Sequence, residues 1–289
     1  MSEWNGQGLV STKWLAENLQ DPALRIYDVT VHLRPVTPGP YEIESGRADY
    51  EAGHISGAAF IDLVQELSDT TSSIPFTLPS AGALAKTLGA AGVARGKRVV
   101  FYSATTPMWA TRAWWMLRSM GFSDVAVLDG GFAKWTAEGR PVASGIQSYA
   151  PAELSLSADA GAWADKDAVL AAIGDQGVCT INALSPEMFR GDAPTNYGRK
   201  GHITGSTNVP YASLLNDDGT FKSADDLRPL FDAVGALSRP RIICYCGGGI
   251  SATMDALALT RLGAKNIAIY DGSMWEWCRD PSLPMETGA

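Results

Sequence analysis

Nowhere in this chain do about 18 apolar residues run together, so no membrane-spanning helix is expected. Lys and Arg do not cluster either: 23 basic against 31 acidic side chains leave a net charge of −8. That balance argues against nucleic acid or an anionic membrane as the main partner and describes an acidic surface. Cysteine is scarce, with 4 among 289 residues. In a chain long enough to bury proper cores, so few thiols do not form a disulfide framework, and a reducing compartment, the cytoplasm, is expected. The first residues, Met1-Ser-Glu-Trp-Asn-Gly-Gln7, lack a basic segment followed by an apolar run, so no secretion signal is expected.

What is present is an alternation of two patterns. β-rich runs such as Arg25-Ile-Tyr-Asp28, Val99-Val-Phe-Tyr102 and Val125-Ala-Val-Leu128 alternate with amphipathic stretches such as Ala110-Thr-Arg-Ala-Trp-Trp-Met-Leu-Arg118. This predicts an α/β architecture in which a mainly parallel sheet is covered by helices on both faces. The length suits two domains of roughly 130 residues, each able to bury its own core. Residues 139–164 are rich in Pro, Ser, Ala and Gly and lack a long apolar run. We therefore expect an N-terminal domain over 8–140, a linker over 141–165 and a C-terminal domain over 166–289.

The chemistry is read from Arg241-Ile-Ile-Cys-Tyr-Cys-Gly-Gly-Gly-Ile-Ser-Ala252. Ile242 and Ile243 lead an apolar strand, and from Ser251 onward Ala252, Leu257, Ala258 and Leu262 recur at helical spacing. Cys246 thus sits at a strand-to-helix turn. There, successive N–H groups can converge on one atom, the helix dipole adds to their field, and the glycines permit the necessary φ values. Such a turn favours a nucleophilic thiolate able to hold an added sulfur as a persulfide. The plainer reading is a tight turn beside a buried thiol. Cys244, inside the strand, reads as a core thiol, with a redox pair to Cys246 as the other possibility.

The same unit occurs twice. Tyr50-Glu-Ala-Gly-His-Ile-Ser-Gly-Ala58 answers to Gly201-His-Ile-Thr-Gly-Ser206, with His54 and His202 148 positions apart. Arg98-Val-Val-Phe-Tyr-Ser103 parallels Arg241-Ile-Ile-Cys-Tyr-Cys246, and Val127-Leu-Asp-Gly-Gly-Phe-Ala-Lys-Trp135 parallels Ile269-Tyr-Asp-Gly-Ser-Met-Trp-Glu-Trp277, at offsets of 143 and 142. Near-constant offsets mean a duplicated domain rather than a short solenoid repeat. The alignment places Ser103 where Cys246 stands, so one copy keeps the thiol and the other serves as scaffold and wall.

On these residues the chain resembles the two-domain rhodanese-like sulfurtransferases, which include thiosulfate and 3-mercaptopyruvate sulfurtransferases. Further carriers of the resemblance are Asp28-Val-Thr-Val-His-Leu33, Phe60-Ile-Asp62, Ser68-Asp69, Leu78-Pro79, Phe189-Arg-Gly191 and Tyr270-Asp-Gly272. The resemblance implies two tandem rhodanese-like domains with the catalytic cysteine in the cleft between them, on the second. It implies sulfur transfer in two stages. Cys246 takes the outer sulfur of thiosulfate or 3-mercaptopyruvate, then passes it to cyanide, a small thiol or a protein thiol. The amides of Gly247, Gly248, Gly249, Ile250 and Ser251 are expected to cradle the anionic persulfide. This chemistry needs no metal and no organic cofactor.

Donor choice stays open. The neutral loop leans towards mercaptopyruvate, yet the family's Asp-x-Arg after the first strand of the second domain is Asn182-Ala-Leu184 here, and the serine common in mercaptopyruvate enzymes is Gly248. Arg190, Arg199 and Lys200 are the candidates to replace the missing charge, and His32, which has no counterpart in the repeat, is a candidate to line the cleft. His54 and His202 recur in both copies and read as fold-forming. Trp109, Trp114, Trp115, Trp275 and Trp277 read as core or interface anchors, while Asp271 could cap its turn or orient a loop amide. A phosphatase of this fold would need an arginine where Ala252 stands, six positions after Cys246. Two further functions compete with small-molecule sulfur transfer: a non-catalytic binding module, and a relay taking persulfide from a protein donor.

Overall fold

The computed structural model describes residues 4, 8–34, 36 and 41–288. Ala289 and, Trp4 apart, the N-terminal segment read above for a secretion signal lie outside the described residues. The first sheet contains β1 (Leu9–Val10), β2 (Leu24–Asp28), β3 (Ala59–Phe60), β4 (Arg98–Tyr102) and β5 (Val125–Leu128), in the order β1-β5-β4-β2-β3. The second contains β6 (Trp163–Ala164), β7 (Val178–Asn182), β8 (Thr207–Asn208), β9 (Arg241–Tyr245) and β10 (Ile267–Tyr270), in the order β6-β10-β9-β7-β8. Replacing each strand by its counterpart converts one order into the other, and every pairing in both sheets is parallel. Central strands such as Ile242-Ile-Cys-Tyr245 are buried throughout, as a sheet covered by helices on both faces requires.

The paired Gly-His-Ile motifs do the same work in both copies. Nδ1 of His54 lies 2.8 Å from Tyr50 O and the ring stacks on Tyr50, whereas Nδ1 of His202 lies 2.7 Å from Phe189 O and the ring stacks on Phe189. The residue after each histidine is then pinned to the end of a central strand, Ile55 N–H donating to Tyr102 Oη and Ile203 N–H to Tyr245 Oη. Both histidines are buried, and both position backbone.

One helix departs from its expected pattern. Met108–Ser119 is buried on every face, with Arg118 alone partly exposed. The reason is that it is covered twice, by its own sheet and by the second-domain helix Ala252–Arg261, to which Thr111 Oγ1 is joined at 2.7 Å through Thr253 Oγ1. A single apolar cluster consequently runs through both copies, joining Trp114 and Leu117 to Met254 and Leu257.

The segment between the copies is stitched down at both ends. Val142–Ala143 pairs antiparallel with His54–Ile55, and Trp163–Ala164 is the first strand of the second sheet. In between, the chain lies along the first domain: Gly145 N–H donates to Glu51 O, Ala152 N–H to Gly89 O and Ser157 N–H to Met120 O. Tyr149 anchors the strap, its hydroxyl donating to Gly57 O and accepting from Ile26 N–H.

Candidate active site

Cys246 follows the last residue of β9 and is 2% exposed. Ser251 immediately precedes the ten-residue helix Ala252–Arg261 without a side-chain capping bond, so the intervening Gly-Gly-Gly-Ile must turn the chain from strand to helix within four residues. Its shape is held from outside by Ser273. That residue adopts φ 46°, a left-handed conformation that costs a non-glycine residue about 1–3 kcal/mol. In return its Oγ accepts from Cys246 N–H at 3.1 Å and Gly249 N–H at 3.0 Å, and donates to Tyr270 O at 2.7 Å. Two further bonds tie the turn to the short helix Ser273–Trp277, Met274 N–H to Cys246 O and Trp275 N–H to Gly247 O.

Two of the glycines are sterically required. Gly249 has φ 70°, and a Cβ there would stand 2.7 Å from Asp271 O; a Cβ on Gly247 would stand 1.9 Å from the Tyr197 hydroxyl. With Cys246 and Gly249 committed to Ser273, the amides of Gly247, Gly248, Ile250 and Ser251 donate to no group among the described residues. They are four unspent donors beside one sulfur, at the positive end of a helix.

The first domain reaches in behind this loop through Arg112. Its fully buried guanidinium donates to Gly249 O at 3.1 Å, to Phe76 O at 2.7 Å and to Asp271 Oδ1 at 2.6 Å, and it lies 4.7 Å from the Trp163 ring centroid. Asp271 Oδ2 also accepts from Leu78 N–H, so Asp271 clamps the first domain rather than capping its own turn. Its counterpart Asp129 makes the reciprocal reach, accepting from Phe221 N–H of the second domain. Burial raises the Asp129 carboxyl to about 6, and the Phe221 bond opposes that shift.

Above Cys246 lies a cavity of about 120 Å³ walled by both domains. Leu33, Ile43, Phe76, Met108 and Trp109 come from the first; Leu184, Tyr197, Tyr211 and Trp275 come from the second. Trp109 and Trp275, read from the sequence as anchors, therefore also face the thiol. Leu184, standing where the resemblance expects arginine, contributes an aliphatic wall.

The sequence-derived anion candidates sit elsewhere. Arg190 is held by Asp192 at 2.9 Å and Glu187 at 4.0 Å, and does not line the cavity. Arg199 donates to the carbonyls of Asp280 and Leu283, fixing the C-terminal segment, and with Lys200 lines a separate hollow behind Leu184 and Tyr197. His32 pairs with Asp49 at 2.7 Å on the hairpin Val31–Arg34/Glu42–Ser45, away from the cavity. Sequence reasoning missed Arg112 and Ser273. The available signal for Arg112 was an arginine inside an otherwise apolar tryptophan-rich helix; for Ser273 it was the replacement of the second glycine of Asp-Gly-Gly by serine between the copies.

Comparison with known proteins agrees with this architecture. The rhodanese-like domain family model matches residues 11–138 and 168–280. The chain is 34% identical to a thiosulfate sulfurtransferase of Cricetulus griseus over 94% of this chain and 92% of that one. It is equally 34% identical to the 3-mercaptopyruvate sulfurtransferase of Escherichia coli (strain K12), over 96% and 97% respectively. The crystal structure of an Escherichia coli 3-mercaptopyruvate sulfotransferase superposes with a TM-score of 0.78 at 31% identity, covering 92% of this chain and 98% of that one. Duplicated sheets, a strand-end cysteine loop and these matches together establish that the chain belongs to the two-domain rhodanese-like sulfurtransferases.

Proposed function

We propose that Cys246 is the sulfur carrier of this enzyme. The Cys246 thiolate attacks the outer sulfur of a small donor of the thiosulfate or 3-mercaptopyruvate type. A new S–S bond forms as sulfite or pyruvate departs, and Cys246 is left as a persulfide. Cyanide, a small thiol or a protein thiol then attacks the outer sulfur, and the electron pair of the breaking S–S bond returns to Cys246. The residues over 8–140 act as a wall without catalytic thiol, and those over 166–289 carry the chemistry.

The observation that supports this reading best is the set of unspent amides. A persulfide concentrates negative charge on its terminal sulfur, and donors fixed beforehand stabilise charge without reorganising as it develops. Gly247, Gly248, Ile250 and Ser251 supply them, while the Gly249 amide, bound to Ser273, supports the loop instead. With its acidic surface and a mechanism that needs a free thiol, the enzyme is assigned to the reducing cytoplasm, with small molecules or a thiol-bearing protein as its partners. No helix among the described residues is long and apolar enough to cross a membrane.

Replacing Cys246 by Ser tests the assignment, because the exchange keeps the loop backbone and removes the sulfur. Turnover with thiosulfate or 3-mercaptopyruvate is expected to disappear while the unfolding midpoint stays near that of the parent protein. Undiminished turnover in a folded Cys246→Ser variant would refute it.

A further inference from the structure

The segment that joins the two copies fills a socket in the first of them, and the same socket in the second is empty. In the first sheet β3 pairs with β2 only at Tyr27 and Asp28, which leaves Ile26 N–H and Gly57 O apart at the sheet edge. Tyr149 closes that gap, its hydroxyl accepting from Ile26 N–H at 3.0 Å and donating to Gly57 O at 2.7 Å. The Arg25 guanidinium lies 4.5 Å from the ring centroid, and Tyr27 meets the ring edge-on at 5.5 Å. Gly92 leaves room for the strap, since a Cβ there would stand 2.5 Å from Tyr149 Cβ.

Backbone bonds fix the corresponding place in the second copy. Leu24 N–H donates to Asp21 O as Val178 N–H does to Asp175 O, and Ile61 N–H donates to Asp28 O as Val209 N–H does to Asn182 O. Ile26 therefore answers to Thr180, and Gly57 of the first Gly-His-Ile motif answers to Gly205 of the second. The pairing of β8 with β7 is confined to Ile181 and Asn182 in the same way. The segments that follow each copy also start alike: Met285–Glu286 pairs with His202–Ile203 as Val142–Ala143 pairs with His54–Ile55, and Gly288 N–H donates to Arg190 O as Gly145 N–H does to Glu51 O. Yet among the described residues no side chain bridges Thr180 N–H and Gly205 O. A hollow of about 220 Å³ opens there instead, lined by both residues, by Val234, by Arg239 and by Cys179, which stands in the place of Arg25. A Cβ on Gly235, the counterpart of Gly92, would meet nothing nearer than Ser238 Oγ at 4.0 Å. Arg239 brings a cation to this hollow as Arg25 does to the first.

The same donor and acceptor pair takes a phenol on extended backbone in the first copy, and that shape, with a hydroxyl at its tip and a flat ring beside a guanidinium, is what the second offers to hold. A second copy of this chain does not supply it: none of the nine tyrosines is exposed, and both hydroxyl bonds of Tyr149 are made within its own domain. We propose that the hollow at Thr180 and Gly205 is a docking socket for a partner protein, which inserts a tyrosine from an extended segment. Its hydroxyl bridges Thr180 N–H and Gly205 O, and its ring lies against Arg239. The partner is thereby seated on the domain that carries Cys246.

The probe is a free peptide with the sequence of the strap itself, Ser144-Gly-Ile-Gln-Ser-Tyr-Ala-Pro-Ala-Glu153, blocked at both ends and added to the full chain. The covalently attached strap keeps the first socket through its high effective concentration, so the peptide reports on the second. Fluorescence anisotropy of the labelled peptide is expected to saturate at one site per chain at up to millimolar concentration. Amide hydrogen exchange is expected to slow over residues 178–182 and 203–207. A peptide with Phe in place of its Tyr should bind roughly tenfold more weakly, having lost both hydroxyl bonds, and Arg239→Ala should weaken the Tyr peptide more than the Phe peptide loses by label or length alone. Absence of saturation, equal affinity of the Tyr and Phe peptides, or slowed exchange confined to the first domain would overturn the proposal. Sedimentation without peptide decides between occupants: a monomer supports a partner protein, and a dimer whose formation slows exchange over 178–182 assigns the socket to a second copy and overturns it.

Discussion

The loop at Ser103 and the loop at Cys246 occupy equivalent places in two copies of one sheet, yet they handle their amides in opposite ways. In the first copy, Ala104 N–H donates to Thr30 Oγ1, Thr105 N–H to Ser103 Oγ and Met108 N–H to Thr106 Oγ1, while Pro107 has no N–H at all. Side chains and Pro107 thus remove the donors at the four positions equivalent to Gly247, Gly248, Ile250 and Ser251, while the Ser103 and Thr106 amides have no partner among the described residues. In the second copy the three glycines offer no such acceptors, and only two amides are used, both by Ser273. Gly131, at the place of Ser273, has no hydroxyl to supply, and a Cβ there would stand 2.7 Å from Ser103 O. Losing the thiol in one copy thus goes with closing the anion site around it, and keeping the thiol goes with holding that site open from outside.

The helices behind the two loops differ in the same spirit. Arg112 of the first copy is spent on the back of the active loop, whereas Asp255, at the equivalent position of the second, is fully buried with both oxygens unpartnered. Burial pushes the Asp255 carboxyl well above its usual range and keeps it neutral. The domain without a loop thiol contributes the charge that shapes the Cys246 loop.

The largest way to break this asymmetry is Arg112→Met. It would strand the Asp271 carboxylate and leave the carbonyls of Gly249 and Phe76 without their donor, so a loss of about 3–5 kcal/mol is expected in denaturant unfolding. Sulfur uptake should slow in the surviving folded fraction; an unchanged midpoint would show that the clamp contributes little. Ser273→Ala acts next. Removing an oxygen that three backbone groups share should cost about 1–3 kcal/mol and lower turnover, because the Cys246 and Gly249 amides lose their anchor. Ser273→Gly relieves the φ strain but lacks the hydroxyl, so it should recover part of the stability without recovering turnover. The smallest effect is expected at Arg190→Ala: a partly exposed arginine paired with Asp192 and Glu187 is worth below about 1 kcal/mol. Its apparent donor affinity should match that of the parent, and a marked loss would place Arg190 in the donor site.

Much of this architecture is legible in the sequence because the fold was built twice. Gly-His-Ile, the β4 and β9 runs and the Asp-Gly motifs recur at nearly fixed offsets, and the Cys-Gly-Gly-Gly turn stands between a β-branched run and a helical one. The site was less legible for a physical reason. Arg112 works through carbonyls 137 and 36 positions away and a carboxylate 159 positions away, and no local pattern encodes such partners. Tyr41, Tyr197 and Tyr211, which line the cavity over Cys246, come from three separate segments that only folding assembles. Arg190, Arg199 and Lys200 were attractive as charges in the sequence, but the neighbouring carboxylates of Asp192 and Glu187 claim Arg190, and the carbonyls of Asp280 and Leu283, 81 and 84 positions away, claim Arg199.

Open amides, and not a thiol alone, are what we propose makes the Cys246 loop a sulfur carrier. The double variant Ser103→Cys/Cys246→Ser moves the thiol: it keeps one loop cysteine but places it where Thr30, the loop's own side chains and Pro107 leave none of the four amides equivalent to those of Gly247, Gly248, Ile250 and Ser251 open. After incubation with thiosulfate or 3-mercaptopyruvate, intact mass is expected to show no gain of a sulfur atom in this variant, against a cyanide-removable gain of one in the parent. A stable, cyanide-removable persulfide on the transplanted cysteine would contradict the account.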